Sequence, residues 1–198
     1  MASDMILYLH GFRSSPHSFK ARLLAERLRA LGRADQYLCP QLPASPAAAI
    51  ALAESLIGAQ PARQLTLIGS SLGGYYATWL AEQTGCRAVL LNPAVAPPQD
   101  LAKYVGVTTD WHSGEPFEFK AEYLDELRAL ALPRISRPER YFLVAAIGDE
   151  VLDWRDMIIR YAGARQLVIQ GSDHGLSDFA EQMDAVLAFC DDMPETPA

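Results

Sequence analysis

Cysteine is scarce in this sequence of 198 residues, which contains only three. Cys39, Cys86 and Cys190 are far apart, odd in number and form no C-x-x-C pair. This pattern argues against a disulfide framework or a zinc site, and it is typical of buried thiols in a reducing compartment. We therefore expect no metal centre.

The sequence also lacks an excess of basic over acidic residues, and it lacks long apolar runs. Lysine and arginine total 17 against 24 aspartates and glutamates, for a net charge of −7, and this argues against nucleic acid as a partner. No apolar run approaches the ~18 residues that a membrane-spanning helix needs. Because the first predicted strand begins near Met5, we expect no secretory signal and a cytoplasmic location.

The sequence does contain enough apolar material for one core. The chain is 50% hydrophobic and 21% charged, which is the composition of a soluble globular protein. A chain of this length can bury a full core, so we predict one domain over residues 1–198. The acidic, proline-containing stretch 191–198 is predicted to be a flexible tail.

Short apolar runs alternate with helical patterns along the chain. The predicted strands are residues 5–9, 37–39, 65–68, 88–91, 141–147 and 166–170. This alternation predicts an α/β fold, with a mostly parallel sheet of about six strands and helices on both faces. In such sheets, ligands bind at the carboxyl ends of the strands.

One corner of the chain carries a catalytic motif. Residues 69–73 read G-x-S-x-G between an apolar strand and a helical stretch, as in the nucleophile elbow of α/β-hydrolases. The glycines allow strand and helix to close around a strained serine. Ser71 has glycine two positions away on both sides and Ser70 does not, so Ser71 is the predicted nucleophile. The alternative is a glycine-rich turn without chemistry.

A serine nucleophile needs a base and a carboxylate. His174 follows the last predicted strand and is the expected base, although a surface histidine is the alternative there. Asp149 follows the fifth strand and completes the order serine, aspartate, histidine that is typical of this fold. The rival carboxylates are Glu150, Asp153 and Asp173. Glu150 is the strongest of these rivals.

The loop after the first strand is predicted to complete the site. An oxyanion hole is expected from the backbone N–H groups of Leu72 and Phe12. Gly11 would let the backbone come close to a substrate. His10 is expected to shape this loop through hydrogen bonds rather than to act as a second base.

Several segments together resemble the YqiA-like small bacterial esterases. They are residues 7–12, 14–16, 40–43, 69–80, 92–95, 148–153 and 171–174. The resemblance implies an α/β-hydrolase fold, serine carboxylesterase activity on acyl esters and no cofactor. Activity on acyl thioesters such as acyl-CoA is left open. By motif match, the resemblance assigns the catalytic roles to Ser71, Asp149 and His174.

Residues 97–138 have the least strand-like pattern and lie where hydrolases of this fold insert a cap after the fourth strand. We expect a small lid whose aromatic residues, including Trp111 and Phe117, line an acyl pocket. A lid this short favours short-to-medium acyl groups. The alternative is that these aromatics only pack the lid onto the sheet.

The predicted activity is hydrolysis of a small-molecule ester through an acyl-Ser71 intermediate. Two alternatives remain open from the sequence. One is a hydrolase of the same fold acting on another bond, such as a peptide or C–C bond. The other is a non-catalytic binding module that retains the fold.

Overall fold

Among the residues that the structure describes, the strands form two sheets. A computed structural model describes residues 4–109 and 114–192. The strands are β1 (Met5–Leu9), β2 (Tyr37–Leu38), β3 (Leu65–Ser70), β4 (Arg87–Leu91), β5 (Gly106–Thr109), β6 (Pro116–Phe119), β7 (Tyr141–Ala146) and β8 (Arg165–Ile169). Six of them form one sheet in the order β2-β1-β3-β4-β7-β8, and all neighbours are parallel. The predicted six-stranded parallel sheet is confirmed.

Helices cover both faces of this sheet. They are α1 (Phe19–Ala30), α2 (Pro46–Ile57), α3 (Leu72–Thr84), α4 (Pro97–Leu101), α5 (Glu122–Ala129), α6 (Trp154–Arg160) and α7 (Phe179–Asp191). The apolar side chains of α1 and α7 join one core cluster, and those of α2 to α6 join the other. Among the described residues, the helices include none with the length and apolarity to cross a membrane.

The strands contribute to both core clusters because successive side chains point to opposite faces of a sheet. In β1, Ile6 and Tyr8 pack into the cluster under α1 and α7, whereas Leu7 and Leu9 pack into the other. A strand buried on both faces has an unbroken apolar sequence. This is why apolar runs located the strands of the sheet.

The segment between β4 and β7 contains α4, α5 and an antiparallel hairpin of β5 and β6. The sequence did not predict this hairpin. Its strands have four residues each, and they begin at Gly106 and Pro116, two residue types that are depleted in strands. Residues 110–113, which include Trp111, lie outside the described residues.

The predicted tail, residues 191–198, begins at a residue that is helical. α7 extends to Asp191, and Asp192 follows it as the C-cap. Residues 193–198 lie outside the described residues.

The three cysteines carry free thiols; Cys86 and Cys190 are buried, and Cys39 is partly buried. Burial raises the pKa of Cys86 to about 11 and the pKa values of Cys39 and Cys190 to about 12. In the unfolded chain a thiol ionises near pH ~8.5. These thiols therefore stabilise the folded state below that pH, and this contribution is lost as the pH rises toward 11 or 12.

We predict that the free energy of unfolding decreases between pH ~8.5 and pH ~11, by up to about 1.4 kcal/mol per pH unit for each thiol that ionises only when unfolded. Urea unfolding at a series of pH values measures this decrease. Cys190→Ala is the matched control, and its unfolding free energy should depend less steeply on pH. The same pH dependence in both proteins would contradict the prediction.

Candidate active site

Ser71 lies at the corner between β3 and α3 in a strained conformation. Its φ of 53° and ψ of −121° are rare for a residue with a side chain. The surrounding glycines leave no space for a Cβ atom. A Cβ on Gly69 would lie 2.3 Å from the Gly73 carbonyl oxygen, and one on Gly73 would lie 1.9 Å from the Leu9 carbonyl oxygen. The close approach of three backbone segments therefore requires the glycines of the motif.

Backbone hydrogen bonds hold this corner in place. The Ser71 N–H donates to the Leu91 carbonyl over 3.0 Å. The Ser71 carbonyl accepts from the N–H groups of Gly74 and Ala94 over 2.9 and 3.0 Å. The neighbouring strand β4 and the chain that follows it thus support the strained residue.

The structure brings together the three side chains predicted to form the catalytic site. Ser71 Oγ lies 3.0 Å from His174 Nε2, and His174 Nδ1 lies 2.8 Å from Asp149 Oδ2. The Asp149 side chain is fully buried and that of His174 is 13% exposed. The carboxylate accepts from Nδ1–H, which leaves Nε2 as the acceptor for the Ser71 hydroxyl. This geometry permits proton transfer from Ser71 to His174.

Backbone N–H groups hold the Asp149 carboxylate. Its Oδ1 accepts from Val151 N and Leu152 N, each over 2.8 Å. Its other oxygen, Oδ2, is the one bonded to His174. Both oxygens are therefore held, and the carboxylate can fix the orientation of the imidazole.

The three rival carboxylates have other contacts. Glu150 Oε2 accepts from the backbone N–H of His174 over 3.0 Å. Asp173 Oδ1 accepts from Ser177 N, and hydrogen bonding to Ser177 holds the pKa of Asp173 below its usual value. Asp153 caps the N-terminus of α6. Asp149 is therefore the carboxylate placed to act on the imidazole.

The loop after β1 lies against Ser71. A Cβ on Gly11 would be 3.2 Å from Ser71 Cβ. His10 is buried; its Nε2 accepts from the Leu42 N–H over 3.0 Å, and its Nδ1 lies 3.0 Å from the Gly11 carbonyl oxygen. Because Nε2 accepts, the proton resides on Nδ1, so His10 bonds to Gly11 within its own loop and to Leu42 in the segment after β2.

The residues predicted to form the oxyanion hole border the same space. Phe12 and Leu72 both line the cavity that contains Ser71 and His174. Leu72 is the first residue of α3, where a backbone N–H has no acceptor within the helix. The helix N-terminus also favours negative charge at this point.

The cavity beside Ser71 has a volume of about 270 Å³. Its apolar wall includes Phe12, Phe19, Leu72, Leu101, Tyr104 and Leu152. Lys20 lines it as well. Leu101 and Tyr104 come from the segment between β4 and β7, so this segment contributes to the wall.

Phe117 lies elsewhere. It lines an adjoining groove of about 750 Å³, whose lining residues do not include Ser71. Its ring is 5.9 Å from that of Phe12, with the two rings nearly perpendicular. Phe117 therefore packs against Phe12. Of the aromatic residues expected in the cap, Tyr104 lines the cavity that contains Ser71.

Asn92 is a site residue that the sequence analysis missed. It is fully buried, and its Nδ2 donates to the carbonyls of Asp173 and His174 over 3.0 and 3.1 Å. Its Oδ1 accepts from Ala146 N over 2.8 Å. One side chain therefore joins the ends of β4 and β7 to the histidine loop. Its position directly after the predicted strand 88–91 was an available signal.

We predict that Asn92→Asp lowers the free energy of unfolding by about 2–4 kcal/mol, because a carboxylate oxygen would face two buried carbonyl oxygens. Urea unfolding at neutral pH measures the change. Gln99→Glu is the matched control, since it makes the same chemical change at an exposed position. Equal stability of the two variants would show that the Asn92 bonds contribute little.

A family model matches residues 5–191 of the chain. The family is described as "Uncharacterised protein family (UPF0227)". The match includes the segments on which the resemblance to YqiA-like proteins was based.

Solved structures share this fold at low sequence identity. The ydeN gene product of B. subtilis has a TM-score of 0.70 at 16% identity, over 96% of this chain and 100% of that one. The esterase domain of a Rhodothermus marinus protein has a TM-score of 0.68 at 21% identity, over 94% and 85%. Mouse alpha/beta hydrolase domain-containing protein 10 has a TM-score of 0.67 at 17% identity, over 96% and 88%. These likenesses establish the α/β-hydrolase fold.

Proposed function

This chain belongs to the UPF0227 family of YqiA-like proteins, and from that premise we propose that it is a serine esterase acting on small acyl esters. One observation carries the proposal: Asp149, His174 and Ser71 form a hydrogen-bonded series at a strained corner beside a cavity. The esterase domain among the structural neighbours adds support from a shared fold.

The first half of the proposed reaction forms an acyl-enzyme. Ser71 Oγ attacks the ester carbonyl carbon while its proton passes to His174 Nε2, and Asp149 stabilises the imidazolium. The carbonyl electron pair moves to oxygen, where the N–H groups of Leu72 and Phe12 stabilise the negative charge. When the pair returns, the bond to the alcohol oxygen breaks, and the leaving alcohol takes the proton from His174.

The second half uses water. His174 removes a proton from a water molecule as it attacks the acyl carbon, and a second oxyanion forms in the same hole. Collapse of this intermediate releases the carboxylic acid and returns the proton to Ser71. No redox partner is needed, because the net reaction is the addition of water across the acyl–oxygen bond.

The cavity supports a short-to-medium acyl group. Its volume of about 270 Å³ and its apolar wall suit a short alkyl or aryl chain. Residues 97–138 act in this proposal as a cap, since Leu101 and Tyr104 form part of the wall. Comparing kcat/KM across p-nitrophenyl esters of increasing chain length tests this size limit.

The adjoining groove supports acyl-CoA thioesters as a second substrate class. It is lined by Arg13, His17 and Arg22, and it borders Gly11 and Leu72 at the edge of the site. Arg13 already donates to Thr109, so Arg22 is the guanidinium that would receive a phosphate of the leaving group. If so, Arg22→Ala should raise KM for an acyl-CoA and leave KM for the matching p-nitrophenyl ester unchanged. An equal effect on both would reject the class.

Ser71→Ala tests the proposed nucleophile. We predict a fall in kcat/KM of at least about 10³-fold, because no other group in this mechanism can carry the acyl intermediate. A fluorophosphonate probe should label the wild-type protein on Ser71, as mapped by fragment mass spectrometry, and should leave Ser71→Ala unlabelled. Ser55→Ala, on the exposed surface of α2, is the control.

The alternative functions are tested with a panel of substrates. Hydrolysis of peptides or cleavage of C–C bonds, in place of ester hydrolysis, would identify one of the alternative hydrolases. A wild-type protein that is neither labelled by the probe nor active on any substrate would indicate a binding module.

Asp149→Asn tests the proposed carboxylate. We predict a loss of roughly 10³–10⁴-fold in kcat, because the amide favours the wrong imidazole tautomer and cannot stabilise the imidazolium. The matched control is Asp153→Asn, which makes the same change at the N-cap of α6 and should keep wild-type kcat. Steady-state hydrolysis of p-nitrophenyl butyrate measures both. Equal activity of the two variants would contradict the assignment.

A further inference from the structure

The loop that carries His174 has little regular structure of its own. It connects β8 to α7, and its backbone adopts positive φ at Gly171, Ser172 and Leu176. Two of these residues carry a side chain, so the conformation costs about 1–3 kcal/mol at each. Contacts from other parts of the chain must therefore hold the loop.

Three consecutive carbonyl groups of this loop accept hydrogen bonds from distant side chains. Those of Asp173 and His174 accept from Asn92 Nδ2. That of Gly175 accepts from Lys20 Nζ over 2.5 Å. The backbone next to the imidazole is therefore held from two sides, by the end of β4 and by α1.

The Lys20 ammonium is an unusual group for this position. It belongs to the first turn of α1, is only 8% exposed and lines the cavity that contains Ser71 and His174. Burial lowers its pKa to about 8, although the carboxylates of Asp173 and Asp149 act in the opposite direction. A buried cation is destabilising unless its contacts offset the lost hydration. Its hydrogen bond to the Gly175 carbonyl, next to His174, is one such contact.

We propose that Lys20 is a positioning residue for His174: its hydrogen bond to the Gly175 carbonyl holds the imidazole between Asp149 and Ser71. This inference rests on the proposed esterase function. Lys20 acts here through the loop and not on the substrate. Its removal should therefore affect the rate of acyl transfer more than the binding of a neutral ester.

The test compares Lys20→Met with the wild-type protein. Methionine keeps a long apolar stem and removes the donor. We expect kcat for p-nitrophenyl butyrate to fall by about 10- to 100-fold, the effect of losing one charge-assisted hydrogen bond, with KM changed less than twofold. Lys20→Arg keeps a donor and should recover part of the lost kcat. Lys120→Met, which removes an exposed lysine paired with Glu122, is the matched control.

A spectroscopic measurement separates positioning from a merely structural role. The Nδ1 proton of His174, shared with Asp149, should give a downfield proton NMR resonance in the wild type and in Lys120→Met. In Lys20→Met this resonance should broaden or disappear through faster exchange with water. This readout does not depend on turnover, so it tests Lys20 even if the wild-type protein proves inactive on esters, which would reject the proposed function instead.

Two outcomes would overturn the inference. A folded Lys20→Met with wild-type kcat and an unchanged His174 resonance would show that the loop needs no support from Lys20. A rise in KM at constant kcat would assign Lys20 to substrate binding. If Lys20→Met does not fold, NMR measurements on the wild-type protein test the inference instead. Its Lys20 ammonium protons should be protected from exchange and show an NOE to the Gly175 α-protons, and rapid exchange like that of Lys120 would contradict the proposal.

Discussion

The strained backbone of Ser71 is the constraint on which the rest of the site depends. A residue with a side chain at φ 53° is destabilised by about 1–3 kcal/mol, so it persists only where its surroundings enforce it. Here the enforcement comes from strands on both sides of β3. The Leu9 carbonyl at the end of β1 packs against Gly73, and the Leu91 carbonyl at the end of β4 accepts from Ser71 N. The serine hydroxyl is presented because two parallel neighbours fix the corner beneath it.

The order of the strands explains how distant residues meet at this corner. Four neighbouring strands of the sheet lie in the spatial order β3-β4-β7-β8. Ser71 follows β3, Asn92 follows β4, Asp149 lies beyond β7 and His174 lies beyond β8. The imidazole must therefore reach back across two strands to Ser71. Asn92, at the end of the intervening strand β4, donates to the carbonyls of Asp173 and His174, so its side chain supports the loop that carries the imidazole.

Much of this architecture was predictable from the sequence because it depends on local patterns. Apolar runs located the strands of the central sheet, since strands buried on both faces are continuously apolar. The G-x-S-x-G motif identified Ser71, because the glycines are needed wherever backbone segments approach this closely. Asp149 and His174 were predicted as site residues because each follows the end of a predicted strand. The structure places them within hydrogen-bonding distance of each other.

The features that were missed depend on contacts between residues far apart in the chain. In the sequence, Lys20 is one of several basic residues in a predicted helix, and nothing local to it predicts its burial. Its burial results from packing against a loop 155 residues away. The sequence likewise places both Tyr104 and Phe117 in the predicted cap, and it contains no signal that Tyr104 would line the cavity with Ser71 while Phe117 packs against Phe12. The short hairpin of β5 and β6 was not predicted, because Gly106 and Pro116 weaken the strand pattern of its sequence. Tertiary packing determines each of these placements.

The most direct test of the central claim is a crystal structure of the protein after reaction with a small fluorophosphonate. We expect a covalent bond from Ser71 Oγ to phosphorus, with the serine still at positive φ. The phosphonyl oxygen should accept hydrogen bonds from the N–H groups of Leu72 and Phe12, and the imidazole of His174 should stay bonded to Asp149. A probe attached to another residue would contradict the account, as would a phosphonyl oxygen pointing away from both N–H groups.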